Sequence, residues 1–202
     1  MTGLARQAAP PRLSLIRGGK PDLPDTRAAD RALARRIADG DDAALASVYT
    51  EHATALTRFV ERWLGDPNDA ADIVHETMLE LWRRADRYAG RSSLRTFIFT
   101  IARNKAVDRN RKMGRLVYTE VADERVATEP DPASALSALE DSERLARAME
   151  GLSDPHRRVL HLAFFEDLPY AEIARIENCP EGTVKSRVLH AKRKLMQLIA
   201  PD

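Results

Sequence analysis

Glycine recurs at Gly40, Gly65, Gly90, Gly114 and Gly151, and the stretches between these positions carry apolar residues at helical spacing. From Asp41 to Leu64 the residues Leu45, Val48, Tyr49, Leu56, Phe59, Val60 and Trp63 recur at threes and fours, the stripe a helix presents to a core. An alternating apolar and polar pattern, which a half-buried strand needs, is nowhere sustained. The chain is therefore expected to be all-α.

The helix boundaries are also written in the sequence. Asp66-Pro67-Asn68-Asp69 restarts the chain with a capping side chain and acids where a helix dipole favours them. A helix over about 69–87 is expected to bury Ile73, Val74, Met78, Leu81 and Trp82, and to align Asp69, Asp72, Glu76 and Glu80 on one face. The next runs from a Ser92 or Ser93 cap to about Lys112, with Leu94, Phe97, Ile98 and Ile101 inward. Residues 116–135 then lose the period and carry five acids against one base with Pro130 and Pro132, which reads as an extended, flexible acidic linker. A second set of helices is expected over 136–150, 155–165, 169–177 and 180–199, with Pro155, Pro169 and Pro180 near helix starts, where a missing N–H costs little. Residues 1–29, rich in proline and glycine, are expected to be mostly disordered. The organisation that follows is two small helical domains, 30–114 and 136–202, joined by a linker at 115–135 and preceded by an extension at 1–29.

Charge is distributed in blocks. The formal total is +1, but residues 66–86 carry −4, 87–115 carry +8, 116–154 carry −7 and 183–202 carry +4. The total excludes a uniformly basic binder and leaves room for local basic patches. No apolar run approaches the roughly 18 residues of a membrane span, and the N-terminus has no signal-like apolar stretch, so a cytoplasmic protein without membrane insertion is expected. The single cysteine, Cys179, can form no internal disulfide. His52, His75, His156, His161 and His190 lack metal-ligand spacing, and no nucleophile with a base, carboxylate pair or phosphate-cradling glycine loop stands out. Neither a metal, a cofactor nor an enzymatic reaction is expected, and Gly40-Asp41-Asp42 reads as a helix start.

Two segments point to nucleic acid. In TVKSRVLHAKRKLMQLI (183–199), Val184, Val188, Ala191, Leu195 and Leu198 form one stripe, while Lys185, Ser186, Arg187, His190, Arg193 and Lys194 take the other faces. A short helix from Tyr170 and a turn at Glu177-Asn178-Cys179-Pro180 precede it, so the set has the components of a helix-turn-helix. In the first domain, residues 87–115 place nine bases among Tyr88, Phe97 and Phe99, a combination suited to an opened strand, although the aromatics equally suit a core.

These segments resemble a known family. DAADIVHETMLELW (69–82), SSLRTFIFTIARNKAVDRNRK (92–112) and PYAEIARIENCPEGTVKSRVLHAKRKL (169–195) look like regions 2.2, 2.3 to 2.4 and 4.2 of bacterial sigma-70 family factors, in the correct order. The short chain with only two domains is similar to the extracytoplasmic-function (ECF) group. The resemblance implies a transcription initiation factor that binds core RNA polymerase through the β′ clamp and β flap, recognises a promoter with both domains and helps to melt it.

It further implies that Asp69, Asp72, His75, Glu76, Glu80 and Trp82 meet the clamp. Tyr88, Arg91, Ser92, Arg103, Asn104, Lys105, Asp108, Arg111 and Lys112 would hold the minus-10 element as single strand, with Asn104 at an extruded base and Arg103, Lys105, Arg109, Arg111 and Lys112 mainly on the backbone. Thr183, Lys185, Ser186, Arg187, Leu189, His190 and Arg193 would read the duplex minus-35 element, with Arg187, Lys192 and Arg193 at phosphates. Occlusion by an anti-sigma protein is implied as well. The chain departs from the family pattern at His190, where arginine is frequent, at Phe97 for a frequent tryptophan, and at Ala71 and His75 for frequent Glu and Gln. The rival reading is a stand-alone helix-turn-helix regulator that binds duplex DNA as a dimer.

Overall fold

The structure, a computed structural model, describes residues 24–114 and 147–199. Among them there is no strand. The helices are α1 (Pro24–Ala38), α2 (Asp42–Leu64), α3 (Pro67–Arg84), α4 (Leu94–Lys112), α5 (Asp154–Leu160), α6 (Tyr170–Glu177) and α7 (Glu181–Ile199). A 3-10 turn at Ala85–Arg87 follows α3, and a π turn at His161–Phe165 extends α5.

The caps follow the local chemistry. Asp41 accepts the Ala44 N–H at 3.0 Å, so Gly40-Asp41-Asp42 is the helix start it was read as. Asp66 accepts from Asn68 and Asp69, with Pro67 in the first turn of α3. Ser93, not Ser92, caps α4 by accepting the Thr96 N–H at 3.1 Å. Gly65 ends α2 at φ +76°, the left-handed conformation glycine adopts without a Cβ penalty.

Helices α2, α3 and α4 pack around Val48, Leu56, Phe59, Val60, Ile73, Leu81, Ile98, Phe99 and Ala102, all buried. In the second set, α5, α6 and α7 enclose Val159, Leu162, Ile173, Ile176, Val184 and Val188. The two sets are not separate bodies: α4 packs along α6, α2 touches α5, and the buried side chains form one continuous cluster.

Two expectations need correction. Helix α1 begins at Pro24, so residues 24–29 are ordered. The chain earns this helix through tertiary burial of Ala34 and Ile37 against the core, a stripe too short to register as a sustained period. Tyr49 and Trp82, expected on buried stripes, are 48% and 50% exposed, because both sit at the margin of stripes whose centres are already filled. The expected helix at 136–150 is described only over 147–150, which is helical; the remainder, the linker at 116–135 and residues 1–23 lie outside the described residues.

Candidate polymerase and nucleic-acid interface

The acidic face of α3 is built as its spacing requires, but it is not left open. Arg109 of α4 pairs with Asp69 and lies 3.8 Å from Asp72 and 3.6 Å from Glu76, while Lys105 lies 3.4 Å from Glu76. Glu80 pairs with Arg84 at 2.6 Å. Arg109 and Lys105, expected on a DNA backbone, are thus engaged by the neighbouring helix, because α3 and α4 set an acidic and a basic row side by side. Ala71, Asp72, His75, Glu76 and Trp82 remain exposed on α3. An indole half open to solvent beside partly neutralised acids can offer a protein partner both apolar area and a polar margin.

The loop into α4 serves the fold first. Tyr88 is buried; its hydroxyl donates to the Ser92 carbonyl at 2.6 Å and its ring lies 5.5 Å from Phe97. It is therefore not available to stack on a base in this arrangement, since the loop uses its ring as its own core. Gly90 (φ +66°) lies against Arg31, where an added Cβ would fall 2.9 Å from the arginine Cδ. Asp30 of α1 accepts the Leu94 N–H at 2.7 Å and completes the start of α4. No local signal marked Asp30, because its partner is 64 positions away.

Arg91, Asn104, Asp108, Arg111 and Lys112 are exposed, and Asp108 pairs weakly with Arg111 at 4.0 Å. Asn104 presents an amide, a donor and an acceptor, to the surface, although its Oδ1 takes a 3.3 Å bond from Arg103. Arg103 is half-buried and reaches the second set of helices, donating to the Glu177 carbonyl at 3.4 Å.

Helices α6 and α7 form the expected helix-turn-helix, with Asn178 at φ +53° in the turn. Lys185 is exposed and pairs with Glu181 at 2.9 Å, and Ser186 donates to the Thr183 carbonyl at 3.1 Å. Thr183, Leu189, His190 and Arg193 are half-exposed, with the His190 ring 6.2 Å from His156. Arg187 and Lys192, expected at phosphates, are buried at 8% and 4% exposure. Arg187 turns toward the Cys179 sulfur at 3.9 Å and Lys192 toward the Phe164 ring at 5.5 Å, because their positions on α7 face α5 and the turn. Neither reaches an outside phosphate in this arrangement.

Sequence reasoning missed the seam between the two sets of helices. Arg158 of α5 holds Glu177 of α6 through three bonds of 2.9, 3.0 and 2.9 Å, and its guanidinium lies 4.2 Å over the Trp63 ring of α2. His161 stands 5.6 Å from Phe59, bonds Glu166 through Nε2 at 3.1 Å and faces Arg62 at Nδ1. Arg95 of α4 also pairs with Glu166. Burial is the largest influence on His161 and holds its pKa below the usual histidine value, outweighing the opposite pull of Glu166. For Glu166 burial pushes upward, yet the bonds from His161 and Arg95 hold its carboxyl below the usual range.

Residues 48–116 match the model of Sigma-70 region 2, and residues 142–195 match that of Sigma-70, region 4. The chain is 33% identical to the ECF RNA polymerase sigma factor RpoE of Cereibacter sphaeroides over 168 residues, 82% of this chain and 92% of that protein. The chain belongs to the ECF sigma factor family. It is also 31% identical to the ECF RNA polymerase sigma factor SigL of Mycobacterium tuberculosis, over 78% of this chain and 90% of that one. Among solved structures, the sigma factor RpoE of Bartonella quintana, in complex with the anti-sigma factor NepR, superposes with a TM-score of 0.59 at 28% identity, covering 76% of this chain and 94% of that one. CnrH, in complex with the cytosolic domain of CnrY, shares the fold with a TM-score of 0.63 at 23% identity, over 85% and 97% of the two chains. Membership favours the initiation-factor reading over the stand-alone dimeric regulator. No described helix is long and apolar enough to cross a membrane, and no group of three or more His, Cys, Asp or Glu among the described residues could hold a metal ion.

Proposed function

We propose that the ECF sigma factor works through three separate surfaces of this fold. The exposed row of α3, Asp72, His75, Glu76 and Trp82, docks on the polymerase β′ clamp. The outer face of α4, centred on Asn104 with Arg111 and Lys112, holds the melted minus-10 strand. Thr183, Lys185, Ser186, Leu189 and His190 at the start of α7 read the minus-35 duplex, and the second domain meets the β flap. The first domain runs to residue 114, the acidic segment 115–135 links it to the second, and the factor acts in the cytoplasm with no catalytic step of its own.

The observation that supports this reading most directly is the half-exposed indole of Trp82 on a helix whose Ile73, Val74, Met78 and Leu81 are buried. An exposed large aromatic beside acids is the kind of anchor that dominates a protein interface, where truncation costs about 2 kcal/mol or more. Binding of core polymerase by the full chain tests it: Trp82→Ala is expected to weaken the complex at least tenfold with an unchanged melting temperature, and equal affinity would reject α3 as the docking surface.

Packing of α4 against α6 also brings Arg103 of the minus-10 set under Glu177 of the helix-turn-helix. The two promoter-reading elements must separate to engage elements well apart on DNA. We therefore read the compact arrangement as the resting one, in which an anti-sigma protein would find both sets of helices together, as the similarity to the RpoE–NepR complex supports.

A further inference from the structure

Ser153 stands at the N-terminal boundary of α5, the place where a serine hydroxyl ordinarily accepts a backbone N–H of the first turn. It makes no such cap bond here. Two residues on, Pro155 has no N–H to offer, and the hydroxyl lies instead 2.7 Å from Nδ1 of the His156 side chain. A hydroxyl both donates and accepts, so it holds this ring in either tautomer. The anchored imidazole is half-buried and its Nε2 is shut off from solvent. Its ring lies 6.2 Å from that of His190 on α7 at an interplanar angle of 68°, an edge-to-face contact.

We propose that His156 is a positioning residue for minus-35 recognition, fixing the His190 ring in the orientation that meets a base edge. The proposal rests on the reading of His190 as a residue facing the duplex, and it adds to that reading a helix outside the helix-turn-helix. A histidine on an open helix face has more than one staggered rotamer, so its N–H and its lone pair sweep more than one direction. Discrimination between base pairs needs those two groups held at one angle to the groove. The His156 ring occupies one side of His190 and removes the rotamers that would swing toward α5. With its own Nε2 enclosed, His156 acts through His190 and not on the DNA. Ser153, His156 and His190 thus couple the start of α5 to one position of the promoter.

Affinities of the complex of core polymerase with the full chain, for promoters carrying each base pair at each minus-35 position, test the proposal. Preference at a position is a ratio of affinities measured on one preparation, so a fall in the folded fraction cancels. His190→Ala is expected to flatten the preference at one base pair by about tenfold. His156→Ala is expected to flatten it several-fold at that same base pair and nowhere else. The double variant should lose no more than His190→Ala alone, as two side chains acting as one unit require. Ser153→Ala, which removes no cap bond, is expected to flatten the same position with an unchanged melting temperature. Full preference in His156→Ala, where His190→Ala loses it, overturns the proposal and leaves His190 as a base reader. A loss at a different base pair gives His156 a contact of its own and overturns positioning as well. Unchanged preference at every position in His190→Ala rejects the reading of His190 itself, and the proposal with it.

Discussion

Arg62 of α2 reaches across the seam to His161, its Nη1 lying 3.2 Å from the imidazole Nδ1. A guanidinium only donates, so Nδ1 must accept, which leaves the proton on Nε2, 3.1 Å from Glu166 Oε1. The imidazole is therefore neutral in the compact arrangement. A second proton on Nδ1 would set two donors against each other beside the Phe165 ring that stacks on the imidazole and the Phe59 ring tilted against it.

This tautomer carries a pH prediction. In the unfolded chain the imidazole takes a proton near its ordinary value of 6.5, whereas burial in the folded chain holds it lower. Between the two values the unfolded state binds more protons, so stability should fall as pH drops below about 6.5 and be insensitive to this group above it. The urea midpoint measured at pH 7.5 and pH 5.5 should decline more for the natural chain than for His161→Gln. Identical declines would remove His161 from the seam's energetics.

Glu177→Ala leaves Arg158 as a buried cation without its carboxylate. With side-chain exposures of 7% and 0% for the two partners, screening by water is slight. Breaking such a pair from one side costs about 3–5 kcal/mol, so equilibrium unfolding should show a loss of that size. A loss under about 1 kcal/mol would match a surface pair instead.

Arg109 gathers Asp69, Asp72 and Glu76, yet its side chain is 27% exposed and its pairs are partly screened. Arg109→Ala should cost about 1 kcal/mol at low salt. The difference should shrink toward zero in 1 M salt, where the screening length is about 3 Å. Thermal melting at the two salt concentrations checks this, and a salt-independent loss would mean that packing, not charge, holds Arg109.

On α7 the half-exposed and exposed positions should divide by role. Ser186→Ala and His190→Ala should each change preference at one base pair of the minus-35 element, by about 1–3 kcal/mol. Arg193→Ala should weaken binding evenly across sequences. A binding series of single-base promoter variants, read with the polymerase complex, distinguishes the two patterns; the reverse assignment would place a different face of α7 in the groove.

What the sequence revealed was local. Capping at Asp41, at Asp66 and at Ser92 or Ser93, and the centres of the apolar stripes of α2, α3 and α4, depend on neighbours three or four positions away and are readable, whereas the stripe margins at Tyr49 and Trp82 are not. The acidic row on α3 was readable for the same reason. Its pairing with Arg109 was not, because that depends on how α3 and α4 cross. Tyr88 shows the same limit: an aromatic in a basic segment suits DNA or core equally, and only the Ser92 carbonyl and Phe97 ring around it decide for the core. Arg158 and Glu177, or Arg62 and His161, lie on different elements and share no spacing, so the seam they form had no signature at all. The residues that the family resemblance implies fall mainly on exposed or half-exposed faces of α3, α4 and α7, with Tyr88, Arg187 and Lys192 the clear exceptions.

As an ECF sigma factor this chain directs core RNA polymerase to promoters, and we propose that it does so with two DNA-reading elements on one factor. Transcription in vitro, with core polymerase and a promoter selected from the chain's own genome, tests it most directly. The full chain with core enzyme should yield transcripts from a fixed start site, neither component should do so alone, and Asn104→Ala should reduce the yield at least tenfold. Sequence-specific binding of the chain alone to symmetric duplex half-sites, with no core-dependent transcript, would contradict the account.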